Sequence, residues 1–172
     1  MTTEAIETVQ VYRVYIEATP EAIWEAITTP EWTGRYGYAM LVDYELKAGG
    51  AFRVQANEGM LALGCPEEIS DGEVVEVDAP RRLVQTWRMT MTPELAAEAY
   101  TRVTFEIEPV RGGVCRVTVT HDVTGAPLWA AVLRGDQEMI GAGGGWSEIL
   151  SGLKTLLETG RQLAFQSGPA PA

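Results

Sequence analysis

Between residues 9 and 17 the side chains alternate, with Tyr12, Val14 and Ile16 on one face and Val11, Arg13, Tyr15 and Glu17 on the other. A period of two predicts a strand. It runs into Thr19-Pro20-Glu21, which joins an N-cap hydroxyl, a proline suited to the first helical turn and an acid suited to the helix dipole. Ile23, Trp24 and Ile27 then make an apolar stripe at helical spacing, and Trp24 is expected to be buried between this helix and a sheet. Thr29-Pro30-Glu31 repeats the start chemistry and predicts a second short helix through Trp32, broken by Gly34 and Gly37.

Strand periodicity returns with Val42, Tyr44 and Leu46, then Phe52, Val54 and Ala56, around the hairpin signal Gly49-Gly50. Residues 60–66 have no clear period and are too apolar for a solvated turn, so they are read as folded under or lying at a cavity mouth. Two more strands are predicted over 72–77 and 83–89, with Pro80 in the turn between them. Thr92-Pro93-Glu94 is a further capped start, brief because alternation resumes with Thr101, Val103, Phe105 and Ile107. After the Gly112-Gly113 turn a last strand puts Cys115, Val117, Val119 and His121 on one face. Residues 123–145, with Pro127, Trp129 and many glycines, read as a lid or a partly helical crossover. Trp146, Ile149, Leu150, Leu153, Leu156 and Leu157 recur at spacings of three and four, which predicts one long helix over 145–157.

The elements form an α+β chain in which a mostly antiparallel sheet of about seven strands needs its apolar face covered, and the terminal helix is the segment able to cover it. Length and composition suit one core: 172 residues, 46% hydrophobic and 22% charged, predict a single domain over 1–165 and a flexible tail over 166–172. A net charge of −11 counts against nucleic acid, whose phosphates need concentrated positive charge. No run approaches the roughly 20 apolar residues of a membrane span, and the acidic start is unlike a basic signal segment, so a soluble cytoplasmic protein is expected. Cys65 and Cys115, with no CxxC near either, are expected to be reduced thiols.

Motifs for chemistry are sparse. The glycines at 141–145 precede Trp146, not a Lys-Ser/Thr, so they do not read as a phosphate loop. There is no GxSxG, no clustered metal ligand set and one histidine, so no catalytic residue, metal or cofactor is assigned. Glu67, Glu68, Asp71 and Glu73 read as a solvated acidic face, or as a source of a general base. His121, on the inner face of its strand, reads as a hydrogen-bonded core residue, a ligand contact or an acid–base group. Trp87, Trp129 and Trp146 read as core or as cavity wall.

Several segments taken in order resemble the START-like (SRPBCC) superfamily, in particular its branch of homologues of the heat-shock-chaperone ATPase activator. They are residues 16–24 (IEATPEAIW), 48–53 (AGGAFR), 72–83 (GEVVEVDAPRRL), Trp87-Arg88 and Gly145-Trp146. The stretches 57–71 and 89–99 are longer than the commoner pattern of that branch. The resemblance implies a helix-grip fold, two short helices after the first strand, and a cavity between sheet and terminal helix. Tyr44, Phe52, Trp87, Phe105, His121, Trp129, Trp146, Ile149 and Leu153 are then expected to line it. The implied activity is binding of an apolar small molecule, more in keeping with a carrier than an enzyme. The alternatives are a cyclase-, aromatase- or hydrolase-like enzyme using the same cavity, and a chaperone ATPase-regulating module with a protein partner or a homodimer.

Overall fold

The structure, a computed structural model, describes residues 8–136 and 145–164. The glycines at 141–144 and the tail at 166–172 lie outside the described residues. Seven strands form one antiparallel sheet: β1 (Val9–Ile16), β2 (Leu41–Tyr44), β3 (Ala51–Gln55), β4 (Glu68–Asp78), β5 (Arg82–Met89), β6 (Thr101–Pro109) and β7 (Cys115–Asp122). Their order is β1-β7-β6-β5-β4-β3-β2. From β2 to β7 each strand pairs with its sequence neighbour; the sheet is completed by β1 joining β7, with Val14 opposite Val117. This is the α+β architecture expected from the pattern, and the helix-grip fold that the resemblance implies.

The helices are α1 (Pro20–Thr28), α2 (Pro30–Thr33), α3 (Glu58–Ala62), α4 (Pro93–Ala96), α5 (Pro127–Leu133) and α6 (Gly145–Thr159). Two of the three threonine start signals act as caps: Thr19 Oγ1 accepts from Ala22 N at 3.2 Å and Thr92 Oγ1 from Leu95 N at 3.3 Å. Thr29 does otherwise. Its hydroxyl donates back to the Glu25 carbonyl at 2.9 Å, closing the end of α1 instead of opening α2.

Alternation puts Ile16, Val117, Val119, Val103, Phe105, Ile107, Leu83, Trp87, Val74, Phe52 and Val54 in the core. Against them α6 lays Trp146, Leu150, Leu153 and Leu156, all buried, at the spacing read from the sequence. The far end of α6 is tied to β1 by polar contacts: Lys154 Nζ donates to the Tyr15 carbonyl at 2.7 Å and to Glu158 at 2.6 Å, and Glu158 accepts from Glu17 N at 3.0 Å.

Two readings need correction. Trp24 is half-buried; α1 turns Ile23, Ala26, Ile27 and Thr28 inward, so the indole lies at the margin of the core. Strand β4 begins at Glu68, not Gly72, because the acidic run is itself extended: Ile69 and Ser70 are fully buried, while Asp71 meets Arg88 at 2.7 Å across the pair with β5. Two of its four carboxylates thus meet arginines, Glu68 facing Arg53 at 3.7 Å as Asp71 faces Arg88. Residues 60–66 include the end of α3, capped by the Asn57 side chain; Met60 is half-buried while Leu63 is 85% exposed. No described helix is long and apolar enough to cross a membrane.

Candidate functional site

Under α6 the inner faces of β2, β3, β5 and β6 bring a row of aromatic rings together. Ring centroids lie 4.8 Å apart for Tyr44 and Phe52, 5.4 Å for Phe52 and Trp87, 5.7 Å for Trp87 and Trp146, and 5.6 Å for Phe105 and Trp146. These are contact distances for stacked and edge-to-face pairs. The rings thus fill most of the space they enclose. What remains between them and Ile149 and Leu153 is about 50 Å³, room for water and little more. Beside it the Tyr44 hydroxyl donates to Gln85 Oε1, and burial pushes the Tyr44 phenol well above its ordinary pKa.

His121 sits behind this row, fully buried, and lines neither of the two cavities under α6. Trp146 Nε1 donates to its Nδ1 at 3.0 Å. Its Nε2 therefore carries the proton and donates to Thr101 Oγ1 at 2.7 Å, and Thr101 in turn donates to the Trp87 carbonyl at 2.9 Å. Burial drives the imidazole pKa down from 6.5 to about 3, with Asp122 opposing the shift slightly. A neutral ring with both nitrogens engaged has no hydrogen-bonding capacity left for a ligand and no proton to exchange near neutral pH. The chain Trp146–His121–Thr101–Trp87 instead locks two tryptophans at the edge of the open space described next.

On the other side of Trp87 and Trp146 lies a cavity of about 300 Å³. Strands β4 and β5 contribute Ile69, Trp87 and Met89; α3 contributes Met60; the turn into α4 contributes Met91 and Thr92, and α4 itself Leu95. Helix α5 adds Trp129, Val132 and Leu133, and α6 adds Gly145, Trp146 and Ile149, with Tyr38 and Met40 closing the wall. Four of the six methionines are here, and none of the described lining residues is charged. A volume of this size is at the lower end of small-molecule sites, and flexible thioethers suit a wall that adapts to its contents.

The wall is held by contacts that span long stretches of chain. Helix α5 has no cap of its own; Glu98, just beyond α4, accepts from the Leu128 and Trp129 backbone N–H groups at 2.7 and 3.0 Å, which places a carboxylate on the first turn of α5. Gln10 of β1 donates to the Ala130 carbonyl at 3.1 Å, and the Tyr12 hydroxyl lies 3.2 Å from the Leu133 carbonyl. Where α5 meets α6, Gly145 has φ +62°, and a Cβ there would stand 2.1 Å from the Leu133 oxygen. Only glycine lets α6 begin against the end of α5.

Of the nine residues expected to line a cavity, Tyr44, Phe52, Phe105 and Leu153 surround only the small void. Trp129 lines only the large cavity, Trp87, Trp146 and Ile149 border both, and His121 borders neither. The sequence reading missed Met40, Met60, Met89, Met91, Leu95 and Leu133. A signal for several was present: the apolar stretch 60–66 and the extra stretch 89–99 supply Met60, Met89, Met91, Leu95 and the Glu98 that caps α5.

With this geometry in view, comparison with known proteins is informative. A family model described as "Activator of Hsp90 ATPase homolog 1-like protein" matches residues 17–158. The chain belongs to that family. Similar solved structures include protein MLL2253 from Mesorhizobium loti, 22% identical, covering 87% of this chain and 96% of that one at a TM-score of 0.63. PFC0360w, an HSP90 activator from Plasmodium falciparum, is 19% identical over 87% of this chain and 96% of its own, with a TM-score of 0.59. The Aha1 dimer from Colwellia psychrerythraea is 20% identical over 88% and 97%, with a TM-score of 0.62. At these identities the structural likeness shows the fold. Curated protein sequences returned no match.

Proposed function

We propose that this member of the family binds an apolar small molecule in the cavity bounded by β5, α4, α5 and α6. The observation that carries the reading is the cavity itself: about 300 Å³ of space among methionine, leucine, isoleucine, valine and tryptophan side chains, with no charged group in its described wall. Burying apolar ligand surface there is favourable by about 25 cal/mol per Å² before the costs of binding, and no ion need be desolvated. Catalysis is not part of the proposal. The acid–base candidate His121 has both nitrogens occupied, and the acidic residues 67, 68, 71 and 73 do not line the cavity.

Native mass spectrometry of freshly purified protein tests the reading, together with titration of the fluorescent apolar probe 1-aminoanthracene. A co-purified organic molecule, or saturable probe binding that Met89→Trp abolishes while the fold is retained, supports it. Absence of both overturns it.

A second reading is favoured by the family description and by the name of the Plasmodium falciparum relative: a module that stimulates a chaperone ATPase through its surface. It is tested by adding the protein to a chaperone of the Hsp90 type and recording ATP turnover. Stimulation unaffected by Met89→Trp would support a surface activity separate from the cavity.

A further inference from the structure

The small void and the large cavity share five wall residues, Tyr38, Met40, Trp87, Trp146 and Ile149, which stand between the two spaces. Four of the five are held in place. Trp87 Nε1 donates to Ser70 Oγ at 2.8 Å, and Trp146 Nε1 donates to His121 Nδ1 at 3.0 Å. The Tyr38 hydroxyl accepts from Gly145 N at 3.0 Å. Ile149 is β-branched on a helix, which restricts it to one preferred rotamer, and it packs against Gly37, where an added Cβ would stand 3.1 Å from its Cγ1. Met40 differs. It is half-buried, and its thioether chain is unbranched, with three rotatable bonds. The backbone around it is fastened: Asn57 Nδ2 donates to the Tyr38 and Ala39 carbonyls at 3.1 and 3.2 Å, while Asn57 Oδ1 accepts from Met60 N at 2.9 Å. Ala39 lies in the left-handed region at φ +53°, a conformation that a residue with a Cβ keeps only where its surroundings hold it. The Met40 side chain can thus turn aside while the backbone that carries it stays in place.

We infer that Met40 sets the length of ligand the site accepts: its side chain is a movable partition, and turning it aside joins the two spaces into one. This deepens the proposed function and rests on that reading. The small void, about 50 Å³ among rings in contact, is too narrow for a further ring, and its wall of Phe52, Phe105, Leu150 and Leu153 suits the end of an alkyl chain. The large cavity, about 300 Å³, has room for a ring system. No charged residue among those described lines either space, so an ionised group would be buried without a partner. The ligand class is a neutral molecule with a ring body and an unbranched alkyl extension, the body among the methionines and the extension reaching past Met40 to Phe52 and Phe105. Each methylene that passes the partition leaves water for an apolar wall, which is favourable.

A series of neutral probes of one ring and growing chain tests this: 4-ethyl-, 4-butyl-, 4-hexyl- and 4-octylphenol, each titrated in competition with 1-aminoanthracene against the wild type and Met40→Phe. The expected result for the wild type is a gain of about 2- to 4-fold in affinity per methylene along the series. Isotope-filtered NOE spectra of the wild type should connect the terminal methyl of 4-octylphenol to the rings of Phe52 and Phe105, which border the small void alone. The methyl of 4-ethylphenol should give no such contact. Met40→Phe puts a stiff ring in the partition, so it should bind 4-ethylphenol within about 2-fold of the wild type and lose about 10-fold for 4-octylphenol, roughly the worth of two methylenes. If Met40→Phe weakens the short and long probes alike, or neither of them, length is not selected at Met40, and the inference falls while the cavity reading stands. If 4-octylphenol binds the wild type without an NOE to Phe52 or Phe105, the chain runs elsewhere and the inference is refuted, a result that does not depend on the folding of any variant. If neither 1-aminoanthracene nor any of the phenols binds the wild type, the binding reading itself fails and the role of Met40 with it.

Discussion

Lowering the pH from 7 to 5 perturbs the folded and unfolded chain unequally because of one residue. His121 is the only histidine, so it is the only side chain whose ordinary pKa lies in that interval. In the folded protein its pKa is pushed down from 6.5 to about 3 by burial, so it stays neutral throughout the interval. In the unfolded chain it takes up a proton below pH 6.5. The unfolded state therefore binds more protons as the pH falls, and stability declines through the window from about 6.5 down towards 3. Between pH 7 and pH 5 the linkage amounts to about 2 kcal/mol, from 1.36 kcal/mol per pKa unit with the first half-unit only partly titrated. For a chain of this size that is roughly 4 to 8 °C in melting temperature. Urea melts at constant ionic strength at pH 7, 6 and 5 measure it, and His121→Gln supplies the control. Glutamine retains an acceptor for Trp146 and a donor for Thr101 but does not ionise, so its stability should be nearly flat over the same interval. Carboxylates such as Asp122, whose pKa is lowered chiefly by the Thr124 hydroxyl and backbone N–H, add their own losses at more acidic pH and do so in both proteins. Equal slopes for wild type and His121→Gln, or an imidazole resonance that titrates near 6.5 in the folded state, would refute the reasoning.

Other substitutions probe the packing. Thr101→Val removes the acceptor for His121 Nε2–H and the donor to the Trp87 carbonyl, and should cost about 1 to 3 kcal/mol in urea melts; a loss under about 0.5 kcal/mol would mean that water replaces the hydroxyl. Gly72→Ala places a Cβ 2.0 Å from the Thr86 carbonyl oxygen, a backbone atom with little room to retreat, so at least about 2 kcal/mol should be lost, whereas Gly113→Ala in an open turn should be milder. Trp24→Ala, at the margin of the core, should cost about 1 to 2 kcal/mol, less than the 3 to 5 of a fully enclosed tryptophan. A measured loss above about 3 kcal/mol would show that its ring carries more of the packing than its half-burial implies.

Strands, helix starts and the inner face of α6 were legible in the chain because they depend on neighbours a few residues away. Alternation at Val117, Val119 and His121, the threonine caps and the Trp146–Leu150–Leu153 spacing are local signals, and the observed elements follow them closely. Even the cavity had local traces, in the apolar stretch holding Met60 and the extra segment holding Met89, Met91 and Leu95. What alternation left open was whether two inward-facing rings meet or leave room between them. Tyr44, Phe52, Phe105 and Trp146 share the inside of the molecule, but their centroid distances arise from sheet order and from the height of α6 above the sheet. The role of His121 was likewise decided at a distance, by Trp146 and Thr101, 25 and 20 residues away along the chain. Trp129 had the same ambiguity; its ring lines the large cavity because Glu98, Gln10 and Tyr12 hold α5 against β1 and α4. Periodicity states which face a side chain takes, since that depends on local backbone geometry. Tertiary packing alone states what it meets there, because contact and void are properties of two surfaces brought together.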